Sequence, residues 1–141
     1  MSRVFPRLAA VIMFVCGACA VWAAEPKCSP SMAKRAEERA SAVGDWDEMY
    51  SAYKTFAECD DGGVGEAFSD SVGRLLSSNR GGLKRLFALT TKDTGFERFV
   101  IRHIDETIPI DVLAAIERNA RERCPREAER LCRAVLEAAK H

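Results

Sequence analysis

The sequence predicts an all-α fold, a single helical domain of about seven short antiparallel helices stapled by disulfides. Three observations carry that expectation. Apolar residues recur every three or four positions from Met32 to Ala139, the spacing that gathers them on one face of a helix. No segment alternates apolar and polar residues for long enough to argue for a strand. Capping residues precede most of the periodic runs, and Gly or Pro follows them.

Residues 1–24 stand apart from this pattern. Arg3 and Arg7 give a positive start, Leu8 to Val15 is uninterrupted apolar sequence, and small residues follow to Ala24, the layout of a secretory signal peptide. Ala18-Cys19-Ala20 and Val21-Trp22-Ala23 both fit the small-x-small rule for cleavage, and the mature start is expected at Ala24 or Glu25. The competing reading is an uncleaved anchor, since Leu8 to Ala24 is 17 residues, the lower limit for a bilayer span. A lipid anchor fits less well, because neither Cys16 nor Cys19 follows the Leu-small-small residues that precede a lipidated cysteine. The expected domains are therefore 1–24, a signal peptide, and 25–141, a helical domain.

In the mature part, Ser29 caps a first helix with Pro30 at its first position, where the missing N–H costs nothing. Met32, Ala33, Ala36, Ala40 and Val43 form its inner stripe, and Lys34, Arg35, Glu37, Glu38 and Arg39 take the other face. Gly44 ends it. Asp45 caps a second helix with Glu48 at N3, carrying Trp46, Met49, Tyr50, Tyr53, Phe56 and Ala57 inward, and so tight a turn makes the two helices antiparallel. The third helix holds Val64, Phe68, Val72, Leu75 and Leu76; Gly65 and Gly73 each cost it about 1 kcal/mol against Ala, which marks it as the weakest.

Asn79-Arg80-Gly81-Gly82 is a break, followed by a short helix with Leu83, Leu86 and Phe87. Thr94 to Glu97 reads as a capping box for a helix with Phe96, Phe99, Val100, His103 and Ile104 inward and Glu97, Arg98, Arg102 and Asp105 outward. Ile108-Pro109 stops it. Asp111 is the expected cap of the sixth helix, with Val112, Leu113, Ile116, Ala120 and Cys124 inward. Pro125 interrupts the chain before a last helix lined by Ala128, Leu131, Cys132, Val135, Leu136 and Ala139.

Composition narrows the function classes. Arg3 and Arg7 belong to the leader, so the remaining 117 residues hold 19 of the 21 basic residues against all 21 acidic ones, a net charge of about −2 with the signs interleaved. A nucleic-acid partner would call for a basic excess; none is expected, and no membrane contact once the signal is cleaved. The mature chain keeps four cysteines, Cys28, Cys59, Cys124 and Cys132, an even number that reads as two disulfides in an exported domain of this size. Zinc is disfavoured because none of these four cysteines forms a Cys-x-x-Cys pair and the only histidines are His103 and His141.

Cys28 precedes the first helix and Cys59 follows the second, so an antiparallel hairpin brings them together. Cys124 and Cys132 would lie about 10 to 12 Å apart along a continuous helix, beyond the roughly 7 Å a disulfide allows. Either the last helix starts late, near Glu127 to Glu129, or the connectivity crosses to the first hairpin.

No stretch carries a catalytic, metal or cofactor signature, and no cofactor or enzymatic activity is expected. Ser69, Ser71, Ser77 and Ser78 lack a Gly-x-Ser-x-Gly context. The acids Asp45, Asp47, Asp60 and Asp61 lack the calcium-loop pattern. His103 falls on an apolar stripe as a core histidine; as a general base it would look to Asp105 or Glu106, but residues two apart on a helix point to different faces. The Gly-rich connections are the best candidates for partner contacts, through Asp60 and Asp61 in one and Asn79 and Arg80 in the other, because loops held on a rigid scaffold commonly carry function.

Gly44 to Tyr53, with its Gly-Asp-aromatic turn opening a helix, resembles the second half of a tetratricopeptide repeat. It occurs once, and no second copy stands at an offset of about 34 residues, which leaves an ordinary helical hairpin. Taken whole, the chain resembles small exported all-helical bacterial proteins with paired cysteines, among them periplasmic immunity proteins that neutralise effectors delivered by rival cells. It is similar, too, to exported bacterial proteins with a Cys-Asp-Asp-Gly step and an Arg-His-Ile-Asp segment, here Cys59 to Gly62 and Arg102 to Asp105. These resemblances imply an exported, periplasmic or secreted, protein-binding module, of the immunity or inhibitor kind, and carry over no catalytic residue. An envelope accessory protein, or an enzyme with a scattered active site, is the alternative.

Export should remove the leader. The intact mass of protein recovered from the periplasm is expected to begin at Ala24 or Glu25; a mass that still includes Met1 to Val15 makes the segment an anchor.

Overall fold

The computed structural model describes residues 27–78 and 82–140. Within them lie seven α-helices and no strand: α1 (Pro30–Ser41), α2 (Trp46–Phe56), α3 (Gly62–Ser77), α4 (Gly82–Thr90), α5 (Thr94–Arg102), α6 (Ile110–Glu122) and α7 (Glu129–Ala138). Residues 1–26, Asn79, Arg80, Gly81 and His141 fall outside the described residues, and with them the expected signal peptide.

The first two caps form as expected. Ser29 accepts from the Met32 N–H at 3.3 Å, with Pro30 at the first helical position. Asp45 accepts from the Glu48 N–H at 2.9 Å, and Glu48 answers by accepting from the Gly44 N–H at 2.9 Å. A reciprocal pair of this kind satisfies two amides that the helix itself leaves without partners.

Two other caps differ. Asp93, not Thr94, opens α5 by accepting from the Phe96 N–H at 3.1 Å. The shift has a tertiary cause, because the same carboxylate is held by the Tyr50 hydroxyl at 3.2 Å and by Lys54 at 3.6 Å, both from α2. Glu97, freed from a capping box, accepts two bonds from Arg130 of α7. In α6 the cap is the backbone of Pro109, whose carbonyl accepts from Val112 and Leu113 at 3.0 Å. Asp111 stands in the first turn, where its charge complements the helix dipole.

α3 is the central element, packed against α1 on one side and α6 on the other. Phe68, Ser71, Val72 and Ser69 are at most 1% exposed along it. Gly73 has a packing reason: a Cβ there would stand 3.3 Å from Ile108, so the missing side chain lets the turn before α6 approach. The intrinsic cost of the glycine is offset by that close contact. α3 also secures the end of α1, since Ser71 donates to the Ala40 carbonyl at 2.6 Å and Arg74 to that of Ser41 at 3.2 Å. Asn119 of α6 does the same for α3, donating to the Leu76 and Ser77 carbonyls at 2.9 Å.

An aromatic cluster joins α2, α3 and α5. Phe99 packs on Phe68 and on Tyr53 with centroids 4.9 Å apart, and Phe96 lies 5.0 Å from Tyr50. Such pairs add roughly 0.5–1.5 kcal/mol each beyond their buried area.

Both disulfides are present, Cys28 with Cys59 and Cys124 with Cys132. The second resolves the distance problem because the chain after Pro125 makes a short 3-10 turn over Arg126–Ala128 and α7 begins only at Glu129. The Cα atoms of Cys124 and Cys132 are then 6.1 Å apart.

Loop length sets the expected worth of each bond. The first closes 31 residues of separation and the second only 8, so chain entropy assigns them about 3.7 and about 2.6 kcal/mol. A Cys28→Ala/Cys59→Ala variant is expected to lose roughly 1 kcal/mol more in urea unfolding than Cys124→Ala/Cys132→Ala. The reverse order would show that the long loop is already restricted in the unfolded chain.

Candidate functional site

Three polar or concave features stand out on this scaffold. The first is a buried polar cluster where the end of the α1–α2 hairpin meets the end of α5. Its residues come from two segments distant in sequence, Asp60 with Ser69 and Arg102 to Asp105, and thus unite the Cys59–Gly62 step with the Arg102–Asp105 segment.

His103 sits at the centre. Its Nδ1 lies 2.9 Å from Ser69 Oγ and its Nε2 3.1 Å from Asp60 Oδ2. Ser69 donates its single hydroxyl hydrogen to Asp105 Oδ2 at 2.7 Å, so its oxygen is left to accept from the ring. An ionised carboxylate accepts only, so the ring nitrogen that faces Asp60 is placed to donate to it. The Arg102 guanidinium also bonds Asp60.

Asp60 and Asp105 therefore differ from their expected roles. The Asp60 side chain is 5% exposed, turned inward and not offered to a partner. Asp105 reaches the same site as His103 because α5 ends at Arg102 and the next residues form turns, so the rule that separates residues two apart on a helix does not apply. Burial pushes the Asp60 carboxyl up, but the hydrogen bond and charge of His103 and the charge of Arg102 outweigh it and hold the pKa below the usual carboxylate range. For Asp105 burial again acts upward, while bonds from Thr107 and Ser69 bring the net shift down.

The composition of this cluster is that of a nucleophile, a base and an orienting acid, yet its geometry is structural. Ser69 is 1% exposed and His103 is 4% exposed, and neither lines any of the clefts described below. A nucleophile must meet its substrate, and here the hydroxyl is enclosed and already donating to Asp105. His103 is a core histidine, as its place on the apolar stripe implied, and it packs 4.5 Å from the Phe99 ring.

Of the remaining expected contacts, Asp61 caps α3, accepting from the Gly62 N–H at 2.8 Å, and Gly62 takes φ of +50°, a left-handed conformation that favours glycine. Asn79 and Arg80 lie outside the described residues.

The second feature is a cleft of about 570 Å³ between the start of α2 and the facing ends of α3 and α4, lined by Trp46, Arg74, Ser78 and Arg85 among others. Its charged rim is internally paired, Arg85 with Asp47 and Arg74 with Asp70. Trp46 Nε1 is the one buried side-chain donor without an acceptor among the described residues. A smaller hollow of about 160 Å³ lies beyond it, beside Asn119 and Leu83.

The third is a groove of about 460 Å³ along the seam of α1 and α2. Ala52 and Phe56, 1% and 8% exposed, form its floor. Arg35, Glu38, Arg39 and Ala42 line one wall and Ser51 and Thr55 the other. Among the described residues no group of His, Cys, Asp and Glu side chains could hold a metal ion, and no helix is long and apolar enough to cross a membrane.

No family model, curated protein or solved structure matches the chain.

Asp60 sets a testable acid response. Its folded-state pKa is depressed, so its contribution is complete above the ordinary carboxylate range and is lost as pH falls through the folded value. Asp60→Asn is expected to cost about 1–3 kcal/mol at neutral pH and to flatten the loss of stability below about pH 4, measured by urea unfolding across pH. An acid limb as steep as that of the unsubstituted protein would place the titrating groups elsewhere.

Proposed function

We propose that this chain is an exported, periplasmic or secreted, protein-binding module, of the kind represented by immunity and inhibitor proteins. The observation that carries the reading is the double stapling of a helical surface. Cys28–Cys59 locks the open end of the α1–α2 hairpin and Cys124–Cys132 locks the start of α7 to the end of α6. Fixing a surface before association spares the entropy of ordering it on binding. The groups with chemical reactivity, Ser69, His103, Asp60 and Asp105, are spent on holding that surface in place.

Residues 25–141, produced in the periplasm with a carboxy-terminal affinity tag and cross-linked in place, should recover one protein in stoichiometric amount. Cys28→Ala/Cys59→Ala should recover several-fold less at a temperature where it is still folded. Recovery of nothing above a signal-peptide control would remove the binding reading.

A further inference from the structure

The α1–α2 seam offers charge that the fold does not use. Arg35 and Arg39 stand one helical turn apart on the wall of the groove, and neither guanidinium has an ion pair or hydrogen bond among the described residues. The two arginines that line the cleft at the start of α2 differ, Arg74 being paired with Asp70 and Arg85 with Asp47. Glu38, the one acid in the groove, is placed toward Lys34, 4.0 Å from its ammonium. Glu37 points the opposite way, toward Gly63.

The same stripe has an apolar end. Met32, Arg35, Arg39 and Ala42 recur at helical spacing, and Met32 is one of only two large apolar side chains that the described residues leave exposed, at 38%. The buried face of α1, with Ala36 and Ala40 at 0% exposure, is turned toward α3. The outer stripe is apolar at one end and cationic along its length, and it borders a groove floored by Ala52 and Phe56.

We infer that this seam is the docking surface for an acidic amphipathic helix of a partner protein. Two carboxylates one turn apart would meet Arg35 and Arg39, and the small apolar side chains between them would sit over Ala52 and Phe56. A seam between two antiparallel helices accepts the ridge of a third. From Arg35 to Ala42 the groove runs about 10 Å, or two turns of the incoming helix. Because Arg carries its charge at any working pH and presents a planar fork, carboxylates are its natural partners.

This inference rests on the protein-binding reading, and two measurements separate the two. In the first, a fluorescein-labelled alanine-rich helical peptide with Glu pairs spaced four apart and Leu between them is titrated against the oxidised mature protein at low salt, beside a control in which every Glu is Lys. The Glu peptide is expected to bind, and Arg35→Glu/Arg39→Glu to weaken it about tenfold or more, since reversed charge replaces attraction by repulsion. Arg35 is exposed and Arg39 half-buried, and an unchanged Tm will show that the variant folds. No binding of the Glu peptide up to about 1 mM, equal binding of the Lys peptide, or equal binding to the variant overturns the inference. In the second, the variant is used for capture in the periplasm. Loss of the partner supports the seam. Capture equal to that of the unsubstituted protein removes the seam while leaving the binding reading intact, and capture by neither removes both.

Discussion

Three consecutive residues, Cys59, Asp60 and Asp61, tie the fold together, and each does so by a different bond. Cys59 is linked covalently to the start of α1. Asp60 is buried against His103 and Arg102 at the end of α5. Asp61 caps α3, the helix that both sides of the core pack on. A carboxylate taken out of water is costly unless it is met by charge and hydrogen bonds, so Asp60 can occupy its place only when the end of α5 is also in its native position. The hairpin, the central helix and α5 are therefore coupled at one node of the chain.

That node also explains why a set of residues with catalytic composition makes a scaffold. Ser69, His103, Asp60 and Asp105 form a continuous run of hydrogen bonds in which both ring nitrogens are engaged and the Ser69 hydroxyl donates to Asp105. A half-satisfied network of this kind would destabilise the core, whereas a complete one specifies a single arrangement of the elements that contribute to it. The aromatic rings of Phe68 and Phe99 close over the imidazole and keep competing water from the bonds.

Much of this was legible in the residues. The helices and the Ser29 and Asp45 caps follow from signals within a few positions of one another, the Cys28–Cys59 staple follows from the tight turn between the two helices that these cysteines flank, and the late start of α7 was one of the two arrangements that the reach of a disulfide left open. What was not legible depends on partners distant in the chain. Asp60 and His103 are 43 residues apart, and nothing near Asp60 distinguishes a buried carboxylate from a solvated turn residue; its Asp-Asp-Gly neighbourhood suggested an exposed loop. Asp93 took the cap from Thr94 because Tyr50 and Lys54 approach it from α2. Asn119, which secures the end of α3, gives no local signal at all, since an asparagine in mid-helix is ordinarily a solvent-facing residue.

The rigidity of the α1–α2 seam follows from the same node. α1 is held at its beginning by Cys28 and at its end by Ser71 and Arg74 of α3, while α2 is held by its capping pair and by the aromatic cluster, so neither wall of the groove can move without breaking a buried contact. A fixed groove of two helical turns is nevertheless a small site. Stable protein pairs bury on the order of 800 Å² on each partner, more than two turns of one helix can cover. A partner that docks there in a lasting complex must continue beyond the seam, and the exposed Met32 at the apolar end lies in the direction such a contact would extend. Specificity would then be divided, with Arg35 and Arg39 selecting and steering an acidic helix and the surface around Met32 supplying apolar area, the division of labour that charged rims and apolar centres show in protein interfaces generally.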